Sequence, residues 1–370
     1  MREGWTYKKL GEVCEIYQPK TLSTEDLVAD GDYPVYGANG IIGRFNSYNH
    51  EFPEVLLTCR GATCGRINIS QPFSWINGNA MVIHRKSDDL SFDFLKYVMF
   101  SLDYSLIITG AAQPQITRQK LAPTVISYPP LSEQQSIVAE LDKINELISL
   151  KKAQLSDLDS LAQSIFYDMF GDPIVNEKGW EVKKLEDVCE TITDGDHMPP
   201  PKSENGIPFI TISDINKETR EIDFNNTFYV PQDYYDGLKE ERKAQVNDLL
   251  YTVTGSYGIP VVVKSSMPFC FQRHIALIRP IQEKLLTIFL CWWVLCPSVK
   301  GEADRVATGI AQKTVGLNSI RQFSIILPPL PLQQEFAKRI ELIEQQKAQI
   351  SSTIKDLETL LASRMQYWFD

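Results

Sequence analysis

The sequence predicts an α+β protein built twice: two globular heads linked by two long helices that form an antiparallel coiled coil, related by a pseudo-two-fold internal repeat. Three observations predict it. The chain repeats itself in order, each copy opens with short β-like runs, and each copy closes with a long apolar heptad.

The repeat begins with Trp5-Thr-Tyr-Lys-Lys-Leu-Gly-Glu-Val-Cys-Glu15, which recurs as Trp180-Glu-Val-Lys-Lys-Leu-Glu-Asp-Val-Cys-Glu190. Seven of eleven positions are identical at an offset of 175. Leu56-Leu-Thr58 and Gly61 match Leu250-Tyr-Thr252 and Gly255 at 194; Pro72-Phe73 and Ala80 match Pro268-Phe269 and Ala276 at 196. Gly110-Ala-Ala-Gln113 and Gly309-Ile-Ala-Gln312 match at 199, as do Pro129-Pro-Leu131 with Gln134-Gln135 and Pro328-Pro-Leu330 with Gln333-Gln334. An offset that only grows marks a duplication whose second copy gained residues, mainly between 191 and 248.

The first head spans 1–128. Runs such as Glu54–Thr58 and Ala80–His84, divided by Gly, Pro and Asn, read as strands and turns. A helix follows over 129–172. Ser132 with Gln135 after Pro129-Pro130 reads as a capping box. Its apolar face runs Ile137, Leu141, Ile144, Ile148, Lys151, Leu155, Leu158, Ala162, Ile165, Met169 in 4-3 steps. The second head spans 173–327, with Leu285 to Cys296 as a buried helix. The second long helix, 328–370, repeats the register as Phe336, Ile340, Ile343, Lys347, Ile350, Ile354, Leu357, Leu361, Arg364, Trp368. Lys151 aligns with Ile350 and Lys347 with Ile148. Such exchanged lysines either fix the register of two unlike helices or snorkel from the seam edge. A helix of some 35 residues is roughly 50 Å long and would hold the heads at opposite ends. Phe170-Gly-Asp172 and Gly179-Trp180 mirror the chain's end and start, so the two termini are expected to lie close. Trp5, Trp180, Cys14 and Cys189 read as core.

Composition excludes several classes. Apolar content of 43% and charge of 23% are ordinary for a globular protein of about two domains. No run reaches the length of a membrane span, and Met1 is followed at once by polar residues, so the expected location is cytoplasmic. Cys59 and Cys64, and Cys291 and Cys296, are too widely spaced for a zinc knuckle and lack neighbouring histidines. No metal is expected. The net charge of −10 argues against a plain electrostatic nucleic-acid binder. Residues 1–128 are close to balance, with 12 basic and 13 acidic side chains, so the acidity lies mostly elsewhere.

Catalytic signatures are missing. Tyr128-Pro-Pro-Leu131 and Leu327-Pro-Pro-Leu330 lack the Asn/Asp and aromatic ends of an amino-methyltransferase loop. No Gly-Lys-Ser/Thr phosphate loop exists, and Gly37-Ala-Asn-Gly40-Ile-Ile-Gly43 reads as a turn.

Taken in order, Tyr33-Pro-Val-Tyr-Gly-Ala-Asn-Gly40, Arg60-Gly-Ala-Thr-Cys-Gly65, Pro72-Phe73, Gly110-Ala-Ala-Gln113 and Pro129-Pro-Leu-Ser-Glu-Gln-Gln135 resemble the marks of a Type I restriction–modification specificity subunit. The later marks recur as Thr254-Gly-Ser-Tyr-Gly258, Pro268-Phe269, Gly309-Ile-Ala-Gln312 and Pro328-Pro-Leu-Pro-Leu-Gln-Gln334. The resemblance implies a non-catalytic subunit with target-recognition domains over 1–128 and 173–327 and spacer helices over 129–172 and 328–370. Each domain would read one half of a bipartite, asymmetric sequence in double-stranded DNA. The helices would set the unread gap and dock adenine methyltransferase (M) subunits. Cofactors would sit on partners: S-adenosylmethionine on the methyltransferase, ATP with Mg on a motor–nuclease (R) subunit. The second copy departs in having Thr254 for Arg60 and in lacking Tyr-Gly-Ala-Asn-Gly, which implies different half-sites.

Base reading needs rigidly held donors and acceptors, Arg for guanine and Asn or Gln for adenine. Candidates in the first domain are Arg44, Arg60, Arg66, Gln113, Gln115 and Arg118. In the second they are Lys202, Ser256, Tyr257, Arg273, Gln312 and Lys313. Two rivals remain at this stage: a duplicated coiled-coil adaptor that binds proteins without DNA, and a self-contained modification enzyme.

Overall fold

The structure is a computed structural model that describes residues 2–110, 113–197, 199–309 and 312–370. The chain divides into two units, residues 1–152 with 351–370 and residues 153–350. Each unit holds one head, the first part of one long helix and the last part of the other.

Apolar runs with β-branched residues become strands. In unit 1, Val55–Thr58 is buried along its whole length and takes an inner place. The antiparallel order is Cys14–Tyr17, Ala80–Arg85, Val55–Thr58, Ile67–Ile69. Unit 2 builds the same sheet from Cys189–Asp194, Ile275–Pro280, Leu249–Thr252 and Pro260–Val262. A second sheet pairs Tyr33–Gly37 antiparallel with Gly40–Phe45 and parallel with Trp75–Ile76. The glycine-rich run is therefore a hairpin turn, with Gly37 facing Gly40 and Gly40 at φ 115°. Unit 2 repeats this sheet with Ile207–Ile210, Phe228–Val230 and Cys270–Phe271. There, residues 211–227 replace the tight turn, and much of the added length sits in that connection. In both units a short strand pair closes the head: Thr6–Lys9 with Val125–Tyr128, and Glu181–Lys184 with Ser324–Leu327.

Strand register corrects one step of the repeat. Thr58 faces Ala80, whereas Thr252 faces Ile275. The offset in this strand is thus 195 rather than 196, and the Pro-Phe match slides by one residue. Both strands are buried from their first residue, so apolar identity alone could not set the register.

The buried apolar run of the second head is helical over Thr287–Leu295. The long helices span Leu131–Phe170 and Leu330–Phe369. The first begins one residue before Ser132: Glu133 and Gln134 N–H groups donate to the Pro130 carbonyl, so Ser132 lies in the first turn rather than at a cap. Its heptad holds from Ile137 through Ala162 and then slips. Phe166 and Phe170 are fully buried, while Ile165 and Met169 are only half-buried. A straight helix drifts from a strict seven-residue repeat, and the larger rings take the inner face.

Each head is completed by the end of the other repeat's helix. In unit 2, Phe170 packs on Phe289 at 4.9 Å and on Phe336 at 5.3 Å. In unit 1, Phe369 packs on Phe94 at 5.4 Å. Within each unit the helix segments run antiparallel. Arg364 is ion-paired with Glu140 in unit 1, farther along than Lys152 with Glu358. In unit 2, Lys347 meets Asp159 at 3.0 Å, and Phe336 meets Phe166. Lys347 therefore pairs across the seam, which favours the register-fixing role over snorkelling; Lys151 is half-buried.

Arg2 donates to the carbonyls of Tyr367 and Trp368, so the chain ends do lie together. Cys14 is buried in the core of unit 1, and Trp5 is half-buried and packs against that core on Phe94, while Trp180 and Cys189 are half-buried. Among the described residues no helix is long and apolar enough to cross a membrane.

Candidate nucleic-acid interface

Two loops meet beyond the end of Val55–Thr58. Arg60 forms an antiparallel bridge with Gln115. The flanking backbone bonds run from Gly61 N–H to the Pro114 carbonyl and from Ile116 N–H to the Cys59 carbonyl, each at 3.0 Å. Arg60 and Gln115 thus form a non-hydrogen-bonded pair, the arrangement that brings two side chains closest on one face. Gln115 also exchanges backbone bonds with Thr109 at 2.8 and 2.9 Å, so its backbone is held from two sides. Position 110 requires glycine: Gly110 has φ 88°, and a Cβ there would sit 2.5 Å from the Gln113 carbonyl oxygen.

The pair opens into a cleft of about 360 Å³ lined by Tyr17, Gln18, Arg60, Gln115, Thr117 and Arg118 over Met81 and Ile116. Two guanidinium groups line it and, among the described residues, no carboxylate does. Arg60, Gln115 and Arg118 are exposed and make no side-chain hydrogen bond or ion pair among the described residues. Tyr17 is hydrogen-bonded to His50 at 2.8 Å. Burial, with Glu54 and Glu15 nearby, pushes its phenol up to about 12, so it stays a neutral hydroxyl.

Unit 2 carries the same scaffold with different side chains. Thr254 bridges Thr314, flanked by Gly255 N–H to the Lys313 carbonyl and Val315 N–H to the Val253 carbonyl, each at 2.9 Å. Here the two hydroxyls bond each other at 3.3 Å, and Thr254 is buried. Gly309, at φ 111°, abuts the Gln312 carbonyl as Gly110 abuts that of Gln113.

The other candidates divide. Gln113 and Gln312 are exposed; Ala111, Ala112, Ile310 and Ala311 between them and the glycines fall outside the described residues. Lys313 is exposed beside Thr314. Arg66 is exposed in the turn that begins at Arg60. Ser256 is exposed, while its carbonyl accepts from the Thr252 hydroxyl at 2.8 Å. Tyr257 donates to Asp304 at 2.5 Å. Arg273 is exposed and donates its backbone N–H to Asp196. Arg44 differs: its guanidinium donates to the Gly31 and Asp32 carbonyls at 2.5 and 2.6 Å, so it braces the hairpin. Lys202 lies over the Phe228 ring at 5.0 Å. Sequence reasoning missed Tyr17, Gln18 and Thr117. Nothing local marks Tyr17 and Gln18, because only the sheet carries them to residues 60 and 115.

The arrangement offers hydrogen-bond donors and acceptors to a ligand. Burial pushes the thiols of Cys14, Cys189, Cys270, Cys291 and Cys296 up to about 12.

Comparison with known proteins gives a consistent result. The family model "Type I restriction modification DNA specificity domain" matches residues 2–159 and again 177–359. The chain is similar to the Type I restriction enzyme EcoBI specificity subunit of Escherichia coli, 24% identical over 252 residues, covering 61% of this chain and 52% of that protein. A putative Type I restriction enzyme specificity subunit of Haemophilus influenzae is 24% identical over 352 residues, covering 91% of this chain and 87% of the relative. Among solved structures, the fold resembles the S subunit of a Type I restriction–modification system from M. genitalium, with TM-score 0.58 and 13% identity over 99% of this chain and 96% of that one. A chain solved in work on the assembly and conformational transition of the type I R-M system gives TM-score 0.59 at 19% identity, covering 99% and 97%.

Proposed function

The chain belongs to the Type I restriction–modification DNA specificity family, and from that premise we propose that it reads double-stranded DNA with two unlike heads, one half of a bipartite target each. The observation that carries this reading is the loop pair. Both heads hold it in the same backbone geometry, yet one presents Arg60 and Gln115 where the other presents Thr254 and Thr314. A duplicated scaffold with exchanged side chains is what an asymmetric target asks of its reader.

The long helices join the heads, and their matched seams would make the unread gap a geometric property. Tethering two readers also makes the second engagement intramolecular, so modest half-sites combine into one specific target. The helices would dock adenine methyltransferase subunits. Chemistry would lie with those partners, using S-adenosylmethionine, and with a motor–nuclease subunit using ATP and Mg. The net charge of −10 fits a division in which partners supply much of the phosphate contact.

The test is co-expression with the cognate methyltransferase subunit and mapping of adenine methylation across host DNA. A two-part motif with a fixed gap, lost when this chain is removed, is the expected result. Methylation that persists unchanged without the chain would reject the reading in favour of a protein-binding adaptor.

A further inference from the structure

We infer that the Arg60–Gln115 pair reads a guanine in the half-site of unit 1, and that unit 2 reads its half-site with no counterpart of this contact. The inference rests on the DNA-reading function proposed above and names the base class at one site.

Geometry supplies the first argument. A non-hydrogen-bonded antiparallel pair directs its two side chains to the same face, about 4.5–5.5 Å apart at Cβ. Arg60 and Gln115 therefore emerge side by side, both exposed, with no partner among the described residues. Their backbone is held on both sides, by bonds at 3.0 Å to Cys59 and Pro114 and by the Thr109 exchange. Direct reading of a base edge needs such a held pair; attraction to a phosphate does not.

Chemistry supplies the second. The guanidinium fork matches the O6 and N7 acceptors of guanine in the major groove, and this is the commonest specific protein–DNA contact. Beside it stands Gln115, whose amide carries no charge. An uncharged amide adds little to phosphate attraction but gives a donor and an acceptor to a neighbouring base edge. Among the described residues no carboxylate lines the cleft to neutralise Arg60 internally.

Unit 2 supplies the contrast. Thr254 and Thr314 occupy the same bridge, bond each other, and leave no long donor at the surface. Whatever unit 2 reads, it reads with groups displaced from this bridge, such as Lys313 and Gln312, both exposed.

The experiment uses the complex of this chain with its methyltransferase subunits. Its methylated motif is mapped for the wild type and for Arg60→Lys, which keeps the charge and loses the fork. One guanine in one half-site should become degenerate, with discrimination falling about tenfold or more and the other half-site and the gap unchanged. On wild-type complex, 7-deazaguanine at that base should weaken binding by a similar factor, and Arg60→Lys should abolish this difference. Installing Thr254→Arg with Thr314→Gln should add a guanine requirement to the second half-site. An unchanged motif with uniformly weaker binding to all sequences would overturn the inference in favour of a phosphate contact. Equal degeneracy in both half-sites would overturn it as well. A wild-type complex that methylates no two-part motif would remove the DNA-reading function itself, and the inference with it.

Discussion

Unit 1 and unit 2 place an acid–base pair at the same point of the same sheet and solve it differently. Glu54 immediately precedes Val55–Thr58, and Asp248 immediately precedes Leu249–Thr252. Val55 faces Ile83 and Leu249 faces Ile278, so the next residues along, His84 and Arg279, are equivalent. In unit 1, His84 Nδ1 meets Glu54 at 2.7 Å, with the imidazole half exposed. In unit 2, Arg279 grips Asp248 through two bonds of 2.8 Å and adds a third to the Lys243 carbonyl. A guanidinium is always charged, whereas an imidazole loses its charge near neutrality. The duplication kept a buried carboxylate beneath the sheet and let its partner diverge. Both copies place a donor at that position, and its charge is permanent in the copy where the donor too is largely buried.

The largest effect should come from breaking the sealed pair. The Asp248 side chain is 1% exposed and that of Arg279 is 14% exposed. Arg279→Met strands a buried carboxylate and should destabilise unit 2 by about 3–5 kcal/mol. His84→Met, at a site where water reaches the ring, should cost roughly 1 kcal/mol or less. Chemical unfolding of both variants, followed by hydrogen exchange in each unit, checks the contrast. Similar losses would mean that the two pairs are equivalent in energy as well as position.

A second comparison concerns what the units share. Gln134 is fully buried at the start of the first long helix. Its Oε1 accepts from Ser91 N–H at 2.8 Å, and its Nε2 donates to the Asp89 and Pro129 carbonyls at 2.7 and 2.8 Å. Gln333 does the same with Leu286, Lys284 and Pro328 at 2.9, 3.0 and 2.8 Å. One amide thus ties each long helix to its own head and satisfies three backbone groups. Replacement by leucine leaves those groups unpaired, at about 1–3 kcal/mol. Gln134→Leu and Gln333→Leu should lower stability by the same amount within about 0.5 kcal/mol, because the two sites share the same hydrogen-bond geometry. A loss confined to one of them would show that the clamp matters in one unit only.

These cases also show what the sequence can disclose. The repeat, the two helices and the Lys347 exchange were legible because duplication and heptad period are local, countable patterns. Gln134 and Gln333 were visible as a repeated Gln-Gln, but their role was not, since their partners lie some 45 residues upstream. The heptad misled at Ile165 and Met169, where ring size rather than period chose Phe166 and Phe170. Arg60, Gln115 and Arg118 were found by residue type beside glycine. Their convergence, and the entry of Tyr17 and Gln18, depends on a bridge between loops 55 residues apart, and no periodic signal encodes it. Arg44 had the same residue type yet spends its donors on the hairpin, a distinction that only backbone geometry makes.

The smallest predicted effect concerns the titratable pair itself. Burial raises the Glu54 carboxyl above its ordinary value of 4.5, and the His84 hydrogen bond only partly offsets this. A carboxyl raised in the folded state favours folding below 4.5, and that contribution is lost as pH rises through the folded value. Ionised Glu54 is therefore a mild burden on unit 1 at neutral pH. Glu54→Gln keeps an acceptor for His84 and removes the charge, so at pH 7 it should stabilise the chain or leave it unchanged, by no more than about 1 kcal/mol. The difference from wild type should vanish below pH 4.5, where Glu54 is protonated in both folded and unfolded chains. Asp248→Asn should do the reverse and destabilise at neutral pH, because it strands a guanidinium rather than relieving a carboxylate. Unfolding free energies between pH 4 and 8 read the Glu54 slope, and the values at pH 7 read the sign of each substitution. If Glu54→Gln instead lost stability at pH 7, the Glu54–His84 pair would be a net-favourable ion pair, and the contrast between the units would narrow to one of exposure.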